Sequence, residues 1–278
     1  MRSAKLVYAV LAALTFGGFF TSRAISQEHS SPKPGEAKSQ PSGPAPVRDL
    51  SGIWYPGLGG NGNFGQSYPS KTPPPFTAWG EEQFKANRPS SGPREDATNT
   101  NDKYLQCDPP GIPRVFFLPR PLEIAYLPGR TLMFFETNNT WREIWTDGRE
   151  LPKDADPWWY GHSVGKWVDD YTFVVETVGF NDRTWLDSFG HPHSDQLHLT
   201  ERYHRADRDT LVITFTVDDP KAYTKPWLSE PRTYKLKPTW ELEESYCSID
   251  DEKRYFNDVT LPAGENGAGP SVAPSSKK

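Results

Sequence analysis

Between Leu122 and Thr146 the chain repeats one short pattern three times: a run of aliphatic, aromatic and β-branched residues, then turn formers. Leu122–Leu127 is followed by Pro-Gly-Arg, Thr131–Thr137 by Asn-Asn, and Thr140–Thr146 by Asp147-Gly148. Short runs broken by Gly, Pro, Asn and Asp predict antiparallel strands joined by tight turns. The pattern returns in three further pairs. They are Gly161–Val168 with Tyr171–Phe180, Gln196–His204 with Thr210–Val217, and Thr233–Lys237 with Thr239–Tyr246 around Pro238. With Asp49–Tyr55 as a first strand this gives about ten strands, each beside its neighbour in sequence. Thr77–Ala86 is the best helix candidate, with Thr77 as its cap and Glu81 and Glu82 in its N-terminal half. The expected fold is all-β: an antiparallel up-and-down β-barrel with one short helix and a long irregular N-terminal segment.

The ends read differently. Residues 1–24 have Arg2 and Lys5, an apolar run from Leu6 to Phe20, and the small-residue site Ser22-Arg23-Ala24. These are the parts of a secretory signal peptide, and the run is shorter than the roughly 20 apolar residues a membrane span needs. Residues 25–47 are rich in Ser, Pro, Lys, Gly and Glu and predict a disordered linker, as residues 263–278 predict a disordered tail. The β-barrel domain is then 48–262. Cleavage of the leader takes the formal charge from −5 to −8. Such an acidic secreted protein does not suit nucleic acid or an anionic membrane surface.

Cys107 and Cys247 are the two cysteines. In an oxidising compartment two lone cysteines tend to pair. Closing so long a loop is worth ~4 kcal/mol on the chain-entropy model; the alternative is two buried thiols.

Strand alternation separates inside from outside. In Gln196–His204 one face carries Leu197, Leu199, Glu201 and Tyr203, and the other His198, Thr200, Arg202 and His204. The partner strand puts Leu211, Ile213, Phe215 and Val217 on one face, so the apolar face is inside and Glu201 lies on it. A carboxylate there needs a partner, and Arg142, which shares its face with Ile144 and Thr146, is a candidate. His198 and His204 fall on the solvated face.

All five histidines after His29 lie between His162 and His204, and histidine both titrates near neutral pH and binds metals. Three chemistries fit this stretch. Gly161-His-Ser-Val-Gly165 matches G-x-S-x-G, with Ser163, Asp187 and His193 in hydrolase order, but that motif needs a strand-to-helix turn that the pattern here does not offer. A metal could be held by His162, His191 and His193 with Asp187 or Glu201, although no established ligand spacing is present. A cavity with an acid–base or hydrogen-bonding group at its mouth is the third reading. There His162 or His193 would act with Asp187 or Glu201, and Trp145, Trp158, Trp159, Tyr160 and Trp167 would supply flat walls.

Several blocks resemble a family of secreted bacterial proteins, frequent in soil bacteria, for which no reaction is established. They are Asp49-Leu-Ser-Gly-Ile-Trp54, Cys107-Asp-Pro-Pro-Gly-Ile-Pro-Arg114, Arg142-Glu-Ile-Trp-Thr-Asp-Gly-Arg149 and Tyr160-Gly-His-Ser-Val-Gly-Lys-Trp167. Val174-Val-Glu-Thr-Val-Gly-Phe180, Gly190-His-Pro-His-Ser194, Glu201-Arg202 and Asp219-Pro-Lys-Ala-Tyr-Thr-Lys-Pro-Trp227 complete the set. The resemblance spans nearly the whole domain. It implies that Arg142, Asp147, His162, Ser163, Trp167, His193, Ser194, Glu201 and Arg202 belong to one site or one buried network. Where the family reads Trp-Glu-Gly-Asp-Thr, this chain has Trp167-Val-Asp-Asp-Tyr171, in a turn. Gly52-Ile-Trp54 also resembles the first strand of lipocalin-like barrels.

Together these readings predict a periplasmic or secreted barrel that binds a small apolar or aromatic molecule in its cavity, with no cofactor. His162, His193, Asp187 and Glu201 are the candidate chemical groups. Arg142, Trp145, Ser163, Trp167, Ser194 and Arg202 are the candidate ligand contacts. The second reading is a hydrolase, lyase or isomerase using His193 or His162 as acid or base; the third is a structural or partner-binding module.

Overall fold

The computed structural model describes residues 43–56 and 74–260. The leader, most of the 25–47 linker, most of the Gly/Pro/Ser loop and the 263–278 tail lie outside the described residues.

Ten strands form one sheet: β1 Gly52–Pro56, β2 Leu122–Leu127, β3 Arg130–Phe135, β4 Thr140–Trp145, β5 His162–Trp167, β6 Thr172–Val178, β7 His198–Asp207, β8 Thr210–Asp218, β9 Trp227–Leu228 and β10 Arg232–Leu236. Their order is β10-β1-β2-β3-β4-β5-β6-β7-β8-β9, and β10 also pairs with β8. Nine strands therefore close into a barrel, and β9 stays outside it, sharing one edge of β8 with β10. Closure removes the free edges that would otherwise template aggregation.

Nine is an odd number, and that has a geometric consequence. A closed ring in which every neighbour is antiparallel must hold an even number of strands. One seam must therefore be parallel, and it is β4–β5, where Ile144 pairs with Ser163 and Trp145 with Val164. Every other seam of the ring is antiparallel, and the expected up-and-down order of consecutive strands holds except where β10 passes β9 to close on β8. Parallel neighbours need a long return connection. Residues 146–161 make it, so Asp147-Gly148 opens a strap rather than a hairpin turn.

The inward faces follow the alternation. Leu199, Glu201, Tyr203, Leu211 and Ile213 are fully buried, and Phe215 and Val217 nearly so. The barrel axis is filled from one end by a 3-10 turn at Arg114–Phe117, all four residues of which are buried. The Phe116 ring meets Phe135 of β3 and Phe215 of β8 at 5.3 Å and Tyr203 of β7 at 6.1 Å, and its carbonyl accepts from the Tyr234 hydroxyl of β10 at 2.6 Å. Only a position inside the ring touches strands so far apart in its order. The turn is anchored by Arg114, whose guanidinium holds both Asp102 oxygens at 2.8 and 2.5 Å.

Helix α1, Ala78–Ala86, starts where its cap predicts, with Thr77 Oγ1 accepting from the Gly80 amide at 3.0 Å. A second short helix, α2 at Ile249–Tyr255, has no counterpart in the sequence reading. The hairpin expected at Thr233–Lys237 and Thr239–Tyr246 does not form: β10 is its first half, but the second half is no strand. Pro238 removes a ladder donor, and the amides of Glu243 and Ser245 are satisfied by the side chains of Glu136 and Asn139 instead. The segment then reaches Cys247, which is bonded to Cys107, 140 positions away. Among the described residues no helix is long and apolar enough to cross a membrane.

Candidate functional site

The strap 146–161 and the outer face of β4 enclose a groove of about 640 Å³. Alternation explains what β4 gives it. Arg142 and Ile144 point inward and are buried, so Trp141, Glu143 and Trp145 point outward. The strap adds Trp158, Trp159 and Tyr160. Trp141 and Trp158 are 54% and 57% exposed, which is unusual for so large an apolar side chain. Trp145 is covered by the Arg149 guanidinium, 3.5 Å from its ring centre, and Arg149 is itself paired with Asp147 at 2.6 Å. The His162 ring lies 4.0 Å from that of Trp158, and its Nε2 pairs with the Asp156 carbonyl at 2.9 Å.

Beneath this wall lies a buried polar network. Arg142 donates to both oxygens of Glu201 at 2.8 Å. The Tyr203 hydroxyl donates to Glu201 Oε2 at 2.5 Å, and Thr177 donates to Oε1 at 3.3 Å, with Ser163 Oγ 3.0 Å from Thr177 Oγ1. Burial is the largest single influence on Arg142 and works to lower its pKa, but the charge and hydrogen bonds of Glu201 together with Tyr203 and Tyr160 outweigh it, so the guanidinium is held above its ordinary value. Burial also pushes the Tyr203 hydroxyl well above the ordinary tyrosine value, and Glu201 adds to it. Each carboxylate oxygen thus has two donors, as a buried charge requires.

The other expected site residues sit in a second buried cluster, in the loop between β6 and β7. Asp187 pairs with His191 Nδ1 at 2.7 Å, not with His193. His193 Nε2 lies 2.7 Å from Thr184 Oγ1, and Nδ1 lies 3.1 Å from the Ser194 carbonyl. Burial lowers the His193 pKa, partly countered by the Ser194 carbonyl and Asp219. Ser194 gives its amide and hydroxyl to Asp219 at 2.5 and 2.8 Å. These contacts pin the loop.

The single constellation expected from the sequence is therefore divided. Trp145, His162, Ser163 and Arg142 line the groove, and Arg142 also reaches Glu201. Trp167 packs on Phe173 instead. Arg202 is exposed on the barrel's outer face, outside both networks. His162, His191 and His193 do not converge as the three-histidine metal reading needs. Among the described residues no group of three His, Cys, Asp or Glu side chains could hold a metal. The two glycines of the G-x-S-x-G match have packing reasons. Gly161 has φ +60°, and a Cβ there would lie 2.7 Å from the Thr177 methyl; at Gly165 it would lie 2.3 Å from the Phe173 ring. Ser163 sits on a strand, buried on Thr177, and is no exposed elbow.

Sequence reasoning missed Trp141, Arg149 and Glu150 in the groove and Tyr203, Thr177 and Asp219 in the buried networks. The shared outer face of Trp141, Glu143 and Trp145 was a usable signal for the first group. No local pattern marks the second, whose partners come from distant strands. No family model, curated protein or solved structure matches the chain.

Proposed function

We propose that this is a secreted β-barrel protein that binds a small apolar or aromatic molecule, and that its site is the tryptophan groove on the barrel wall. The barrel axis is occupied by Phe116 and its neighbours, so the expected cavity moves from the interior to the β4–β5 seam. One observation carries the reading: four tryptophans, two of them more than half exposed, converge on one concavity of about 640 Å³. That volume is typical of small-molecule sites, which are mostly apolar with a few polar groups. The Cys107–Cys247 bond and the leader-like first residues support export.

The test is a fluorescence-detected screen of small aromatic and aliphatic compounds against the mature chain and a Trp141→Ala/Trp158→Ala variant. Exposed side chains contribute little to folding, so the variant should keep its stability within about 1 kcal/mol. Its affinity should fall at least about tenfold, the loss typical of removing a central aromatic contact. Unchanged affinity in the variant would place the site elsewhere.

A further inference from the structure

Most of the charged side chains around the groove are already committed to neighbours. Arg142 is committed to Glu201, Glu143 to Arg130 at 2.5 Å, Arg149 to Asp147, and His162 Nε2 pairs with a backbone carbonyl. What remains are ring faces, the indole N–H donors of the four tryptophans and one carboxylate: Glu150 lines the groove and has no hydrogen bond or ion pair among the described residues. The strap as a whole is acidic, with Asp147, Glu150, Asp154 and Asp156 against Arg149 and Lys153.

The wall also shows what such faces attract. Trp145 holds the Arg149 guanidinium 3.5 Å from its ring centre, with Arg130 at 5.4 Å. Trp141, on the same face of β4, carries no cation or ring among the described residues and is more than half exposed. Indole is the strongest of the aromatic cation acceptors, because its ring face is electron-rich. A neutral ligand would use the faces but leave Glu150 unpaired, and an anion would be repelled by it.

We propose that the groove selects small organic cations, quaternary or aromatic ammonium ions, held between indole faces with Glu150 as counter-charge. This rests on the groove being the binding site. The seat on Trp141 is open and Trp158 keeps more than half its surface exposed beside the His162 ring, whereas the equivalent seat on Trp145 is taken by the chain's own arginine.

The experiment is calorimetric titration of the mature chain with choline and with 3,3-dimethylbutan-1-ol, which has the same shape without the charge. Choline should bind about tenfold more tightly, as expected for a partly desolvated cation on aromatic faces, and Glu150→Gln should shrink that ratio several-fold. Equal affinity for the two compounds, or a ratio untouched by Glu150→Gln, overturns the selectivity and leaves the groove standing. Binding of both compounds, undiminished in Trp141→Ala/Trp158→Ala, overturns the groove itself. Absence of choline binding while the alcohol or a neutral aromatic binds overturns the cation assignment alone.

Discussion

Two faces of one strand contrast sharply. The inner face of β4 gives Arg142 to a network in which Glu201, Tyr203 and Thr177 complete one another at 2.5 to 3.3 Å. Its outer face gives Trp141 and Trp145 to a groove whose aromatic surfaces stay partly in water. Inside, polar groups are satisfied and apolar groups covered, which is what folding requires. Outside, large apolar groups remain uncovered, which folding does not require. The first region bears on stability, and the second is where we place binding.

That division can be broken most forcefully at Glu201. Glu201→Ala leaves Arg142 buried without its partner and should cost about 3–5 kcal/mol in chemical denaturation. A paired Arg142→Met/Glu201→Leu variant should recover much of the loss, since well-packed apolar replacements of buried ion pairs are often tolerated. A silent Glu201→Ala would mean that the interior is not sealed.

A smaller effect comes from pH. His193 is buried and its pKa is lowered, so below the ordinary histidine value near 6.5 the unfolded chain takes up a proton that the folded chain refuses. Stability should be complete above that value. It should fall with decreasing pH until the folded value is reached, by at most about 1.4 kcal/mol per pH unit. Thermal melts from pH 7.5 to 5 would show the slope, and His193→Asn should flatten it.

The smallest effect on folding is expected at Arg149. Arg149→Gln removes an exposed pair and should leave the melting temperature where it was, while uncovering Trp145 and shifting tryptophan emission. A large drop in melting temperature would make the strap part of the core and blur the contrast.

Much of the inner face was legible because a half-buried strand records its orientation at every second residue. Leu199, Glu201 and Tyr203 on β7 and Ile213 and Phe215 on β8 lie where alternation puts them. For Glu201 the sequence offered a need and Arg142 as a candidate partner, but not the contact itself, because joining residues 59 positions apart depends on how β3 to β7 close. The strap was not legible. Asp147-Gly148 has the chemistry of a hairpin turn; the parity of the ring requires a parallel seam somewhere, and only the β4–β5 pairing shows that the chain returns here. Thr239–Tyr246 misled for a related reason: its alternation is real, but its backbone partners are side chains of Glu136 and Asn139 rather than a strand. The histidine concentration was a real feature of the sequence, but the fold spends it on separate tasks, with His191 and His193 in a buried loop and His162 at the groove.

The odd strand number also bears on descent. Barrels enlarged or trimmed by whole hairpins gain or lose strands two at a time, so such changes never alter whether the count is odd. A lineage starting from this ring would keep one parallel seam through any number of those events, and with it a return strap laid over the wall. The strap's residues could drift freely while the shelf beneath it stayed. The groove would then be inherited as topology, and only its lining would be written in side chains.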